Sequence, residues 1–399
     1  MSWDTIRFRD LYAEDSRNGL TKPSKVRGSG YKMINMGELF SNDRIFDIPM
    51  ELVPLKENEK KNAKVEKGDL LFARQSLVLE GAGKCCIVMD VSPLTVFESH
   101  LIRVRLDNTK ANPLFYYYYF KSPLSPMSTI VSQCAQAGIR GSDLQELDVS
   151  IPPLPVQNRI ANVLEKYDEL IENNQKQIKL LEEAAQRLYK DWFVDLHFPG
   201  YENCKIVDGV PEGWNIFTLG DLCKLRKLTL NSEDIPENTP YIGLEHMPRN
   251  DFCLSKWGMA ADVNSNKLRY YKNDIVFGKI RPYFHKVGFT INNGVTSTDT
   301  FIICPSEGIW GLILMLVSSN AFVDFSYKTC KEGAKMPRAD WNQMKNYKTL
   351  VADTQIQTLF ERYIETITCR IKTLSIENNQ IAEARDRLLP KLMSGEIEV

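Results

Sequence analysis

The sequence is poor in the groups that usually carry out chemistry. Its four histidines (His100, His197, His246 and His285) are spread over 399 residues, and none stands at a metal-ligand spacing from another. The nine cysteines are scattered, with one adjacent pair, Cys85 and Cys86, and no C-x-x-C. That usage points to reduced thiols rather than disulfides or zinc. No phosphate-binding loop is present, because "GAGKC" (Gly81–Cys85) lacks the upstream glycine and the hydroxyl that binds magnesium. No cofactor and no metal are expected. The longest apolar run, Ile309–Val317, is about half of the ~20 residues that span a bilayer. The opening MSWDTIRFRD mixes charge signs and has no apolar stretch of a secretory signal, so a cytoplasmic chain without a membrane partner is expected. Charge of one sign is also missing: 50 basic and 51 acidic residues give a net charge of −1, which by itself favours no polyanionic partner.

What the chain does have is a second copy of itself. "KGDLLFAR" (Lys67–Arg74) returns as "KNDIVFGK" (Lys272–Lys279), and "SWDTIRFRDLY" near the start is answered by "GWNIFTLGDLC" from Gly213. Trp3 thereby matches Trp214, and Asp10-Leu11 matches Asp221-Leu222. A shift of 200 residues pairs Gln157 with Gln357, Glu165 with Glu365, Ile171 with Ile371 and Arg187-Leu188 with Arg387-Leu388. Repeats of this kind decide the architecture before any local reading does.

Each copy ends in a helical pattern. In the first, Ile160, Leu164, Tyr167, Leu170, Ile171, Ile178, Leu181 and Leu188 recur at steps of three and four. In the second, Phe360, Ile364, Ile367, Ile371, Leu374, Ile381 and Leu388 do the same. Such a stripe over about five heptads predicts a long amphipathic, coiled-coil-like helix, and these residues are the expected interface of a helix pair. Pro155 suits the first turn of the first helix and Asp353 the N-cap of the second. Asn174 falls on the core-facing side, where a polar residue fixes register. The globular parts read as mixed α/β, with short strands such as "DLLFAR", "CCIVMDV", "HLIRVRL", "DIVFGK" and "TFIIC" between turn residues. The expected divisions are 1–150 and 198–350 for two similar globular parts, with 151–197 and 351–399 for the helices. The segments 151–200 and 351–399 each hold six basic and eight acidic residues, so the basic excess lies on the globular parts.

"NPLFYYYYF" (Asn112–Phe120) is one residue away from the Asn/Asp-Pro-Pro-Tyr/Phe signature of enzymes that methylate the amine of adenine. Leu114 stands at the second proline, and the repeat aligns Phe115–Ser122 with the apolar Leu312–Ser319. Asn112 and Pro113 then face Ile309 and Trp310, so the supposed catalytic dipeptide is absent from the second copy. The reading that fits both copies is a buried helix, with Asn112 as N-cap and Pro113 in its first turn.

Three stretches together resemble the specificity subunit of type I restriction–modification systems. They are "IPPLPVQNRIANVLEKYDELIENNQKQIKLLEEAAQRLYKDWFVD" (Ile151–Asp195), "VPEGWNIFTLGDL" (Val210–Leu222) and "RDRLLPKLMSGEIEV" (Arg385–Val399). The resemblance implies two target-recognition domains, each reading half of an asymmetric, bipartite site on double-stranded DNA. It implies that two long antiparallel helices separate those domains and dock two methyltransferase subunits, with restriction subunits joining the core. It further implies a noncatalytic chain. "VADTQIQTLF" departs from the prolines that commonly open the second helix. The competing classes are a DNA adenine-N6 methyltransferase, which would bind a methyl donor alone, and a coiled-coil scaffold without DNA specificity.

Base recognition favours Arg or Lys against guanine and Asn or Gln against adenine. Candidate DNA contacts are Arg74 and Gln75, with Lys279 and Arg281 in the matching loop, and Arg140, Lys335 and Arg338 ahead of the two helical regions. The alternative at each position is a solvated surface charge. His285, beside "RPYF", reads as a hydrogen-bonded surface histidine.

Overall fold

A computed structural model describes residues 3–76, 78–133, 137–263, 265–331 and 335–399. The chain forms two compact units, one of residues 1–169 and 382–399, the other of residues 170–381.

The two units repeat one topology. In the first, a five-stranded sheet runs in the order Tyr12–Asn18, Leu101–Leu106, Leu70–Ala73, Cys85–Val88, Arg44–Ile45. In the second the order is Cys223–Arg226, Thr300–Pro305, Ile275–Gly278, Val287–Thr290, Cys253–Leu254. The last pair is parallel in both sheets (Arg44 opposite Ile87, Cys253 opposite Phe289), and the other pairs are antiparallel. A second sheet also recurs, with Glu51–Val53, Tyr31–Ile34 and Val96–Phe97 answered by Gly258–Met259, Pro240–Ile242 and Gly294–Thr296.

The repeated "K-G/N-D" is explained by the turn it makes. Gly68 and Asn273 both sit at positive φ (91° and 69°), where glycine and asparagine are tolerated best. The next residue is a buried aspartate whose carboxylate accepts the N–H three residues back, Glu66 at 2.7 Å for Asp69 and Tyr271 at 2.8 Å for Asp274. Each aspartate also holds an arginine in a two-pronged pair, Arg105 at 2.7 Å and Arg226 at 3.0 Å. Beyond the turn both faces of the strand are covered. Leu70 and Phe72 pack toward the aromatic helix, and Leu71 and Ala73 pack against the core of the second sheet. Ile275 and Phe277 divide from Val276 in the same way. A strand buried on both faces reads as an unbroken apolar run, which is why "DLLFAR" and "DIVFGK" show no alternation.

"NPLFYYYYF" is a helix, Pro113–Lys121, whose residues Phe115–Phe120 are buried. The Asn112 side chain accepts from Leu114 N at 2.8 Å and Phe115 N at 3.2 Å. Its rings are core, and none is offered to an extruded base. The second copy, Trp310–Val317, is capped differently. Ile309 has no side-chain oxygen, and Glu361 of the long helix accepts from Gly311 N (2.6 Å) and Leu312 N (2.9 Å) in its place.

The long helices are Leu154–Tyr189 and Thr354–Met393. Asp353 caps the second, accepting from Gln355 N and Ile356 N. The first passes into a single π-helical turn, Lys190–Val194, that buries Trp192 and Phe193. Trp214 closes on Phe193 (5.3 Å) and Phe198 (4.6 Å between ring centres), so the W-F-V-D joint and the P-E-G-W motif are two sides of one aromatic contact. Among the described residues no single helix is long and apolar enough to cross a membrane.

Candidate DNA interface

The basic loops follow the central strand of each sheet. In the first unit the Arg74 N–H donates to His100 O (2.8 Å), and Arg74 O accepts from Ile139 N (3.0 Å). In the second the Lys279 N–H donates to Asp299 O (2.8 Å), and Lys279 O accepts from Ala339 N (2.9 Å). One backbone frame thus carries both candidates. It draws Arg74, Gln75 and Arg140 together, because Gln75 pairs with Gly138 across a small sheet and Arg140 lies two residues further on. It also draws Lys279, Arg281 and Arg338 together, through the bridge of Ile280 with Arg338 and a 2.8 Å bond from Arg281 N to Pro337 O. Gln75, Arg140, Lys335 and Arg338 are exposed, and Arg74, Lys279 and Arg281 are half-buried.

Their charges are not equally available. Lys279 Nζ donates to Thr298 O (2.7 Å) and lies 4.6 Å from the centre of the Phe301 ring. Burial pulls the Lys279 amine below the usual lysine range. Arg338 is paired with Asp299 at 2.8 Å. Both side chains make bonds within the loop region. Arg281 has a buried Nε without a partner, and it takes the left-handed backbone at φ 50°. His285 Nε2 donates to Ser318 O (2.8 Å), and burial lowers the imidazole below its ordinary value.

The stripe residues divide between the units. In the first, Ile160 and Leu164 are buried with Leu389, Leu392 and Met393, and also with the aromatic helix, while Tyr167 and Leu388 are half-buried. In the second, Phe360, Ile364, Ile371 and Leu374 are buried, and Ile171, Ile178, Leu181, Leu188, Ile367 and Ile381 are half-buried. Leu170 corrects the expectation, for it is 52% exposed. An α-helix at 3.6 residues per turn drifts from a strict heptad, and the position facing inward is Asp168. That buried carboxylate accepts from Tyr118 Oη (2.6 Å) and forms an ion pair with Arg385. Sequence reasoning missed both Asp168 and Glu361, since it searched the helices for apolar residues only. A carboxylate falling on an apolar stripe was the available signal.

The protein-family description "type I restriction modification DNA specificity domain" matches residues 2–183. The whole chain is 22% identical to the type I restriction enzyme MjaIX specificity subunit of Methanocaldococcus jannaschii, of which the alignment covers 94%. It is 26% identical to the putative MjaX specificity subunit of the same organism, again over all of this chain and 94% of the relative. Among solved structures, the type I restriction–modification S subunit from M. genitalium shares the fold, with a TM-score of 0.55 at 16% identity, covering 98% of this chain and 96% of that one. The first copy matches this family's domain, and the whole chain is similar from end to end to specificity subunits of type I restriction–modification systems.

Proposed function

We propose that this chain reads DNA for a type I complex, each globular part recognising one half of an asymmetric, bipartite duplex site. Residues 1–150 and 198–350 are the two readers. The helices within 151–197 and 351–399 dock two methyltransferase subunits, and restriction subunits join that assembly. The chain is noncatalytic in this reading and confers specificity on catalytic partners.

One observation carries the proposal. The two units repeat the same backbone frame while placing different side chains on it, Arg74 and Gln75 in one, Lys279 and Arg281 in the other. Identical readers would select a palindrome, whereas readers that differ at the same point of the frame select two different half-sites. The test exchanges residues 198–350 for the equivalent part of another specificity subunit and maps methylated sites in a host that also supplies the methyltransferase subunit. One half of the methylated motif is expected to change while the other is retained. A motif altered in both halves would make recognition a joint property of the chain and overturn the assignment of separate readers.

A further inference from the structure

The turn after the central strand of the second unit holds an aromatic ring out from the core. Its two ends, Arg281 and His285, both adopt the left-handed backbone, with φ of 50° and 52°. Non-glycine residues rarely do so, at a cost on the order of 1 kcal/mol or more each, and such strain persists only where the surroundings impose it. Here the Arg281 N–H donates to Pro337 O, the His285 N–H to Pro282 O and the His285 ring to Ser318 O, each at 2.8 Å. Between the two ends, Pro282–Phe284 makes one 3-10 turn. Packing gains little from this arrangement, for Tyr283 at its centre is 48% exposed.

A second ring stands beside it. Tyr327, on the helix Asn320–Lys328, is also 48% exposed and meets Tyr283 edge-on, with ring centres 5.3 Å apart and planes at 85°. Phe284 lies 4.9 Å from Tyr283 and carries the Arg249 guanidinium 4.0 Å from its own ring centre. Cations border the pair. Arg249, through Phe284, and Lys328, next to Tyr327 in the chain, are exposed, against Asp324 on the same helix as Tyr327. Lys279 and Arg338 are held by internal bonds and support the turn from beneath. The corresponding turn of the first unit, Leu79–Gly81, also follows the central strand and also exposes apolar side chains, Val78 and Leu79. One position of the frame therefore offers aliphatic groups in one unit and aromatic groups in the other.

We propose that Tyr283 and Tyr327 contact base edges of duplex DNA at the second half-site, and that Arg281–His285 is a rigid strap that positions them. This rests on the DNA-reading function proposed above. Duplex DNA is the occupant that the chemistry favours, because exposed rings with exposed cations beside them suit apolar contact with bases beneath flanking phosphates. A strap already locked in its binding shape lowers the ordering cost of that contact.

The test uses the complete chain assembled with its methyltransferase subunits. The motif is first mapped by methylation sequencing, and binding is then measured on a duplex carrying it and on duplexes substituted in each half. Tyr283→Ala is expected to weaken binding by about 5- to 100-fold and to relax specificity at one or two base pairs of the second half only, as stacking and base-edge contacts do. Tyr283→Phe retains the ring and is expected to stay within about twofold of the parent, since no hydroxyl bond is invoked. The salt dependence of Tyr283→Ala is expected to match the parent, whereas a phosphate contact would lower the slope by about one. Binding and specificity unchanged in both Tyr283→Ala and Tyr327→Ala would overturn the proposal. Loss of assembly with the methyltransferase subunits, with the chain still folded, would overturn it too and mark the rings as a protein contact. A parent complex with no sequence preference would instead overturn the DNA-reading function itself.

Discussion

Glu182 is a carboxylate that the fold buries with no ion pair among the described residues. It is 5% exposed and accepts from Phe252 N at 2.6 Å. Burial outweighs that bond and lifts the carboxyl from 4.5 to about 8. Between those values the folded chain keeps a proton that the unfolded chain has released, so stability falls as pH rises from about 4.5 to about 8 and then levels. Glu182→Gln keeps an oxygen for Phe252 N–H and removes the titration. It is expected to match the parent near pH 4.5 and to be more stable by a few kcal/mol at pH 8.5, read by urea unfolding at the two pH values. An equal difference at both would show that Glu182 is ionised in the fold throughout. Residues of this kind show where sequence reading stops. The recurrence of "K-G/N-D" was legible because its parts are neighbours in the chain, whereas the arginines that hold Asp69 and Asp274 come from different strands, Leu101–Leu106 and Cys223–Arg226, and local pattern cannot choose between them. The internal bonds of Lys279 and Arg338, candidate DNA contacts with a solvated charge as the alternative, were hidden for the same reason: Thr298 O and Asp299 reach them only through the sheet.

At the scale of elements, the 3.6-residue period located both long helices, and the internal repeat with cap-type residues located the buried aromatic helix and the caps at Asn112 and Asp353. It failed where one function passed between elements. The short buried helix needs an acceptor for its first N–H groups in both copies. The first takes it from Asn112 in its own lead-in, the second from Glu361 on another helix. Burial raises the Glu361 carboxyl above its usual range, while its bonds to Gly311 N, Leu312 N and Gln357 oppose that rise. Glu361→Ala leaves two N–H groups in a buried site without acceptors. Asn112→Ala likewise frees two N–H groups, so a loss of about 1–3 kcal/mol is expected from each variant. Hydrogen exchange gives the readout: Glu361→Ala should deprotect Trp310–Val317 and leave Pro113–Lys121 unchanged, with the reverse for Asn112→Ala. If both variants loosened both helices, the two copies would not be independent in stability.

For the whole chain, the duplication raises the question of whether one half can stand in for the other. In the first unit Asp168 pairs with Arg385, and Ile160 shares a core with Leu392 and Met393. In the second, Phe360 meets Trp192 and Phe193, with ring centres 5.8 and 4.8 Å apart. In the first, a step forward along one helix matches a step back along the other, so the helix segments there run antiparallel. Residues 1–200 alone would leave Ile160 and Leu164 without that partner, at about 1.5–3 kcal/mol for each fully buried side chain exposed. A second copy related by a twofold axis supplies the nearest replacement helix. The 200-residue shift shows where that replacement is imperfect. Ala185 would stand in for Arg385 and leave the buried Asp168 unpaired, a change that costs about 3–5 kcal/mol in buried pairs. Trp192 and Phe193 would take the places of Leu392 and Met393, which are fully buried and offer little room for larger rings. The fragment is therefore expected to dimerise weakly. Carrying Ala185→Arg, Trp192→Leu and Phe193→Met together, it is expected to dimerise at least about tenfold more tightly, a gain of some 1.4 kcal/mol. With methyltransferase subunits, the substituted dimer should methylate a palindrome built from the first half-site. Sedimentation analysis of both fragments reads the association directly, and if both remain monomers the two helices are not interchangeable despite their shared pattern.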